Sequence, residues 1–150
     1  MIAGFLAFLL SALFTGAALY VSLVEQPARM SLDDHAAALA QWQPSYRRGA
    51  AMQATLAALA AVLAILAWWQ TKDLLFAAGG VLQALPWPWT LVVILPTNKA
   101  LLAIEPARAG ARSQVLMEKW GRLHAVRTIL GCLATAALMW ACLTGAGGEA

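Results

Sequence analysis

The sequence predicts an all-α fold, a four-helix transmembrane bundle with both termini on the extracytoplasmic side. Three observations predict it. Hydrophobic residues make up 62% of the 150 residues and charged residues only 11%, against roughly 25% charged in ordinary soluble domains. So little polar surface cannot keep a chain dispersed in water. Four apolar runs, 2–24, 49–69, 74–96 and 123–144, are each long enough to cross a bilayer as a helix. Finally, of the ten Lys and Arg residues, all but Lys72 fall in or beside the connections 25–48 and 97–127. The positive-inside rule then puts the loops 25–48 and 97–122 in the cytoplasm, as in an integral protein of a bacterial-type inner membrane. Residues 1–150 read as a single domain without internal repeats. A nucleic-acid partner would want a basic face on a soluble module, and the chain has none.

The first run is uncharged from residue 2 to 24. A secretory signal would carry positive charge ahead of its apolar stretch, so a retained helix is expected. Gly4, Ser11, Thr15, Ala18, Ser22 and Gln26 recur at helical spacing and suit close packing against a neighbour. Glu25 closes the run beside Pro27, and a carboxylate at that depth wants a cation. In the first connection Ser31 is expected to cap a short interfacial helix that Pro44 stops. His35 follows two aspartates and reads as solvated. Tyr46, Arg47 and Arg48 read as headgroup anchors for the second span.

That span carries Gly49, Gln53, Ala57, Ala60 and Ala64 on one stripe, with Trp68 and Trp69 at its far interface. Residues 70–73 form a polar turn. The third span is irregular. Gly79, Gly80, Gln83, Pro86 and Pro88 interrupt it, and Pro96 bends it again before Asn98. Its kink either packs against neighbours or opens a cavity walled by Trp87 and Trp89. The helix continues towards Pro106, 109–113 read as loop, and 114–122 lead helically into the fourth span. Trp42 and Trp120 are expected at the inner interface and Trp140 at the outer one. Residues 145–150 form a small-residue tail.

This topology brings Glu25, Gln53, Asn98, His124 and Arg127 to one depth, from all four helices. On the last helix His124, Arg127, Thr128, Gly131 and Thr135 share a face by their spacing. Ionisable groups inside a span are costly and mark functional sites. Each also has a plainer reading: Arg127 snorkelling to phosphates or pairing with Glu25, His124 as a hydrogen-bonded interfacial histidine, Asn98 as a helix cap. Cys132 and Cys142 lie about 15 Å apart along a helix, too far to bridge, and read as buried hydrophobes. No metal-ligand spacing, phosphate loop or nucleophile elbow is present. One histidine suffices as proximal ligand of a haem b, and only His124 is placed for it; a bis-His haem within the chain is excluded.

At these residues the chain resembles the anthrone oxygenase-like integral membrane family. The resemblance covers most of the chain. It rests on Gly16 to Tyr20 with Glu25-Gln26-Pro27-Ala28, on Trp42 with Tyr46, on Pro96-Thr97-Asn98, and on Lys119-Trp120 with His124 and Arg127-Thr128. It implies oxidation of a flat, apolar phenolic, anthrone- or quinone-like molecule by molecular oxygen. The chemistry then assigns roles. A neutral His124 removes an acidic methylene proton. Asn98 and Arg127 donate hydrogen bonds to an enolate or peroxide oxygen, and Glu25 orients Arg127 or His124. Gln53, Trp87, Trp89, Trp120 and Thr128 contact the substrate. The reaction proceeds either without a cofactor or on a haem b held by His124, with Arg127 as propionate or peroxide partner. The rival class is a non-enzymatic bundle subunit in which these groups lock helices together. The expected partners are the bilayer and an apolar small molecule; a homo-oligomer is left open.

Overall fold

A computed structural model describes residues 2–146, and all regular structure among them is helical. The four expected spans are present as four long rods, Ile2–Met30, His35–Thr71, Leu74–Leu102 and Ala111–Gly145, each long and apolar enough to cross a membrane. The first and third rods each pack along the second and fourth, while contact across the diagonals is sparse. The result is a square up-and-down bundle. Its large apolar side chains point outward, among them Leu13, Val62, Ile129 and Leu133, an arrangement suited to lipid rather than water.

The rods are longer than expected because Pro27 and Pro44 do not stop them, and the third rod runs on through Pro96, where a bend is expected. Proline removes a backbone donor and its ring collides with the carbonyl four residues back. At Pro27 and Pro96 the chain avoids that collision by widening the preceding turn. Val21–Glu25 and Thr90–Ile94 are π-helical. The amides of Gln26 and Leu95 reach back to the carbonyls of Val21 and Thr90. Such wide turns are frequent at functional sites. At Pro44 the rod runs on without a break, against the expected stop. Both Pro44 and Ala40, whose carbonyl loses its partner, are exposed, so nothing buried is left unsatisfied. The second rod has 37 residues and rises about 55 Å, well beyond the roughly 30 Å of hydrocarbon.

Ser31 is not the cap of this rod. Asp34 is, accepting from the amides of Ala36 at 2.8 Å and Ala37 at 3.1 Å, while Ser31 turns back to the Ala28 carbonyl. His35 is the first helical residue and is partly exposed. Lys72, in the left-handed region at φ 61°, closes the second rod, and Asp73 caps the third through the Leu75 amide. The fourth rod begins at Ala111, three residues early, after a 3-10 turn at Pro106–Arg108. From residue 147 the expected tail lies outside the described residues.

Small residues set the helix spacing. A Cβ on Gly131 would lie 2.8 Å from Thr15 Oγ1 and 2.9 Å from the Phe14 ring, and one on Gly79 would lie 2.7 Å from Leu138. Near the turn at Lys72 the core is apolar: Ala3, Ala7, Ala64, Ala67, Phe76, Leu138, Ala141 and Cys142. At mid-depth Ser11 donates to Gln83 at 2.8 Å, and Thr135 lies 2.8 Å from both Ser11 and Thr15. These hydroxyls tie the first, third and fourth rods together. The opposite end of the bundle is built differently.

Candidate functional site

At that opposite end the first, second and fourth rods enclose a small polar cavity of about 30 Å³. Its walls include Glu25, Arg29, Trp42, Tyr46, Gln53, Trp120, His124 and Arg127. His124 and Arg127 are buried, as the shared face on the fourth rod predicts. Gln53 reaches them from the second rod and accepts from Arg127 Nη2 at 3.1 Å. The Arg127 guanidinium also sits 5.8 Å from the Phe14 ring centre. Among the described residues it has no carboxylate partner, and its Nε–H has no acceptor.

Glu25 does not pair with Arg127. It pairs with Arg29 at 2.7 Å, and Arg29 is buried. Arg29 donates further to Gln26 and Gln41, and Gln41 donates to Glu25 at 2.8 Å. Glu25 and Arg29 stand four residues apart on one helix, the spacing at which oppositely charged side chains meet. That contact requires the helix to continue past Pro27, which the sequence reading did not expect. One buried guanidinium is therefore neutralised and the other is not.

Ser22 and Thr128 hold the Nδ1 side of the His124 ring. Thr128 Oγ1 lies 3.3 Å from the Ala18 carbonyl, 3.4 Å from the His124 carbonyl and 2.8 Å from Ser22 Oγ. Ser22 Oγ in turn lies 3.1 Å from His124 Nδ1. When Thr128 donates to either carbonyl, Ser22 donates to Thr128 and accepts from Nδ1–H, and Nε2 carries the lone pair. Thr128 thus acts on the imidazole through Ser22 rather than lining the cavity.

Tyr46 does not anchor at headgroups. It turns inward and stacks on Trp42, with ring centres 4.9 Å apart and planes 2° from parallel. Trp42 meets Trp120 edge-on at 5.6 Å, and Trp120 lies 5.0 Å from the His124 ring. Both tryptophans are buried inside the bundle. Asn98 is fully buried behind Tyr46 and donates to its hydroxyl at 3.0 Å. It does not line the cavity. Because the Tyr46 oxygen accepts from Asn98, its own O–H is left to point elsewhere. Trp89 Nε1 donates to the Leu123 carbonyl at 3.0 Å and braces the fourth rod. Trp87 lies apart from it, on a second and larger cleft of about 150 Å³ that shares Ala50 and Arg127 with the polar cavity.

Trp42, Tyr46, Ser22 and Arg29 are the site residues that the sequence reading missed. Trp42 and Tyr46 stand four apart on a helix, but Pro44 between them hid that spacing.

A family model described as anthrone oxygenase matches residues 42–137, more than half of the chain. The chain belongs to the anthrone oxygenase family. The matched segment holds Trp42, Tyr46, Gln53, Trp87, Trp89, Asn98, Trp120, His124, Arg127 and Thr128. It does not extend to the first rod, which supplies Ser22, Glu25 and Arg29. Comparison with curated proteins and with solved structures gives no match.

A haem b does not fit beside His124 in this arrangement. A space of about 30 Å³ holds a water or two, and Trp120 covers one face of the imidazole. Among the described residues no three His, Cys, Asp or Glu side chains gather at metal-binding distance. The arrangement is suited to proton transfer and anion stabilisation: a neutral imidazole with one free nitrogen, an uncompensated guanidinium and a phenol hydroxyl around one small cavity.

Proposed function

We propose that the protein is an oxygenase of the anthrone type, acting within the membrane on a flat, apolar aromatic ketone or phenol. The observation that carries this reading is the buried, uncompensated charge of Arg127 on the same cavity wall as the basic nitrogen of His124. Burying a guanidinium without a carboxylate costs several kcal/mol. A site bears that cost when an anion forms there during the reaction.

An anthrone methylene is acidic because its carbanion is an aromatic enolate. His124 Nε2 takes the proton, and the Arg127 guanidinium and Tyr46 O–H donate to the enolate oxygen. Asn98 holds Tyr46 in place by occupying its acceptor side. The enolate passes one electron to oxygen, and the resulting radical and superoxide join in a carbon–oxygen bond. The peroxide takes back the proton from His124. Removal of the remaining methylene proton breaks the oxygen–oxygen bond, leaving the new carbonyl and hydroxide, which takes up that proton and departs as water. In total one CH₂ and one O₂ become one C=O and one H₂O. No metal or flavin is required in this sequence.

The distribution of Lys and Arg supports an inner membrane, with the loop at Ser31–Asp34 and the loop from Ala103 to Gly110 in the cytoplasm. The reaction centre then lies at the cytoplasmic end of the bundle. Oxygen uptake by the protein reconstituted in lipid, with anthrone as substrate, tests the reading. Uptake is expected with the wild type and to fall by about 10²–10⁴-fold in His124→Ala. Equal rates in the two would reject His124 as the base.

A further inference from the structure

The second cleft has features that the polar cavity does not explain. It opens between the second and third rods. Ala50, Ala54 and Ala57 form one wall, and Pro86, Trp87 and Thr90 form the other. The rods pack closely along Leu74–Ala84 and part beyond it, where Pro86–Leu102 contacts the second rod only sparsely. Two sequence features produce the gap: alanines on one wall, and prolines with a wide turn on the other. Trp87 and Leu91 at the mouth are exposed on the outer surface of the bundle, so the cleft opens sideways where lipid would lie.

Two of its wall residues each carry a buried polar atom without a partner among the described residues, Thr90 Oγ1 and Arg127 Nε. Buried polar groups are nearly always satisfied, and an exception calls for an explanation. An acyl chain would fill the space but offer them nothing. The volume, about 150 Å³, matches an apolar cavity that accepts a single benzene ring. The geometry points to this cleft as the binding site for one ring of a flat aromatic ketone or phenol entering from the bilayer. The ring stacks between Trp87 and the alanine wall, and its oxygen accepts from Arg127 and Thr90. Because Arg127 also walls the polar cavity, the reacting edge of such a molecule faces His124. The inference rests on the reading of that cavity as the reaction centre, and it adds the entry route and the surface that selects the substrate.

Equilibrium binding of 9,10-anthraquinone, an unreactive flat diketone, to the full chain in phosphatidylcholine nanodiscs tests it. Ala54→Leu fills the cleft and should weaken binding by roughly tenfold or more. Ala61→Leu makes the same change in a neighbouring surface groove lined by Val62, Ile65 and Val81 and should leave affinity unaltered. Should Ala54→Leu fail to fold, Thr90→Val keeps the test open. It removes an unpartnered buried hydroxyl, so its melting temperature should hold or rise while affinity falls several-fold. His124→Ala should still bind anthraquinone. Unchanged affinity in both Ala54→Leu and Thr90→Val overturns the proposal, as does equal competition by oleate, which would make the cleft a lipid groove. Binding that needs the cleft in a protein without anthrone turnover would remove the proposed reaction and leave the ring site standing. Turnover with an unchanged KM in Ala54→Leu would do the reverse.

Discussion

The two ends of the bundle solve the same packing problem in opposite ways. Near the turn at Lys72 the core is alanine, Phe76, Leu138 and Cys142, packed against uninterrupted helix. Near His124 the core holds Arg29, Gln53, Asn98, His124 and Arg127, and both π-helical turns border it. No proline lies in the apolar end, and Pro27, Pro44 and Pro96 all lie in the polar one. Of the five buried polar atoms without partners among the described residues, Trp42 Nε1, Thr90 Oγ1, Asn98 Oδ1 and Arg127 Nε belong to the polar end, and Gln83 Nε2 sits at mid-depth. Lipid supplies no hydrogen bonds, so a bundle built for stability alone would resemble the apolar end throughout. On the proposed function, the polar end gives up stability for chemistry, as functional sites do.

Substitutions at the two ends should therefore separate activity from stability. The largest effect is expected at Arg127. Arg127→Leu should lower turnover by about 10²–10³-fold, the loss typical of removing one oxyanion donor, while the melting temperature stays level or rises because an uncompensated charge has left the core. A folded-state collapse in Arg127→Leu would instead support a purely structural role. Glu25→Gln should do the opposite to stability. It strands the Arg29 charge and should cost about 2 kcal/mol in unfolding measurements, discounted because Glu25 is partly exposed. A more stable Glu25→Gln protein would show that the two guanidiniums are equivalent after all. The smallest effect belongs to the apolar end. A Cβ on Gly4 would lie 2.7 Å from the Phe76 ring, so Gly4→Ala should destabilise by roughly 1 kcal/mol with turnover per folded molecule unchanged. A drop in turnover there would blur the division between the ends.

Much of this division was legible in the sequence, and the illegible part has one main physical cause. Four apolar runs and the spacing of His124, Arg127 and Thr128 suffice for the bundle and for the buried face of its last rod. A straight helix cannot hold a proline at no cost, so in the sequence the helices read as ending at Pro27 and Pro44 and bending at Pro96. A widened turn before Pro27 and Pro96, and an exposed carbonyl at Ala40, remove that cost without ending the rod. Once Pro27 and Pro44 were taken as breaks, the i,i+4 pairs Glu25–Arg29 and Trp42–Tyr46 were out of view. Glu25 is then left to orient Arg127 or His124, and Tyr46 to anchor at the headgroups. Ser22 was visible only as a member of a packing stripe, since hydroxyls that tie helices together and hydroxyls that orient an imidazole look alike in sequence.

In the proposed reaction His124 removes a proton from carbon before oxygen takes part. Without oxygen the reaction should stop at that step and run backwards. Anthrone incubated anaerobically in D₂O with the lipid-reconstituted protein should exchange its methylene protons for deuterium well above the buffer rate, read by mass spectrometry, and His124→Ala should exchange at the buffer rate. Oxygen uptake by a wild-type protein that shows no enhanced exchange, or full exchange by His124→Ala, would contradict the account.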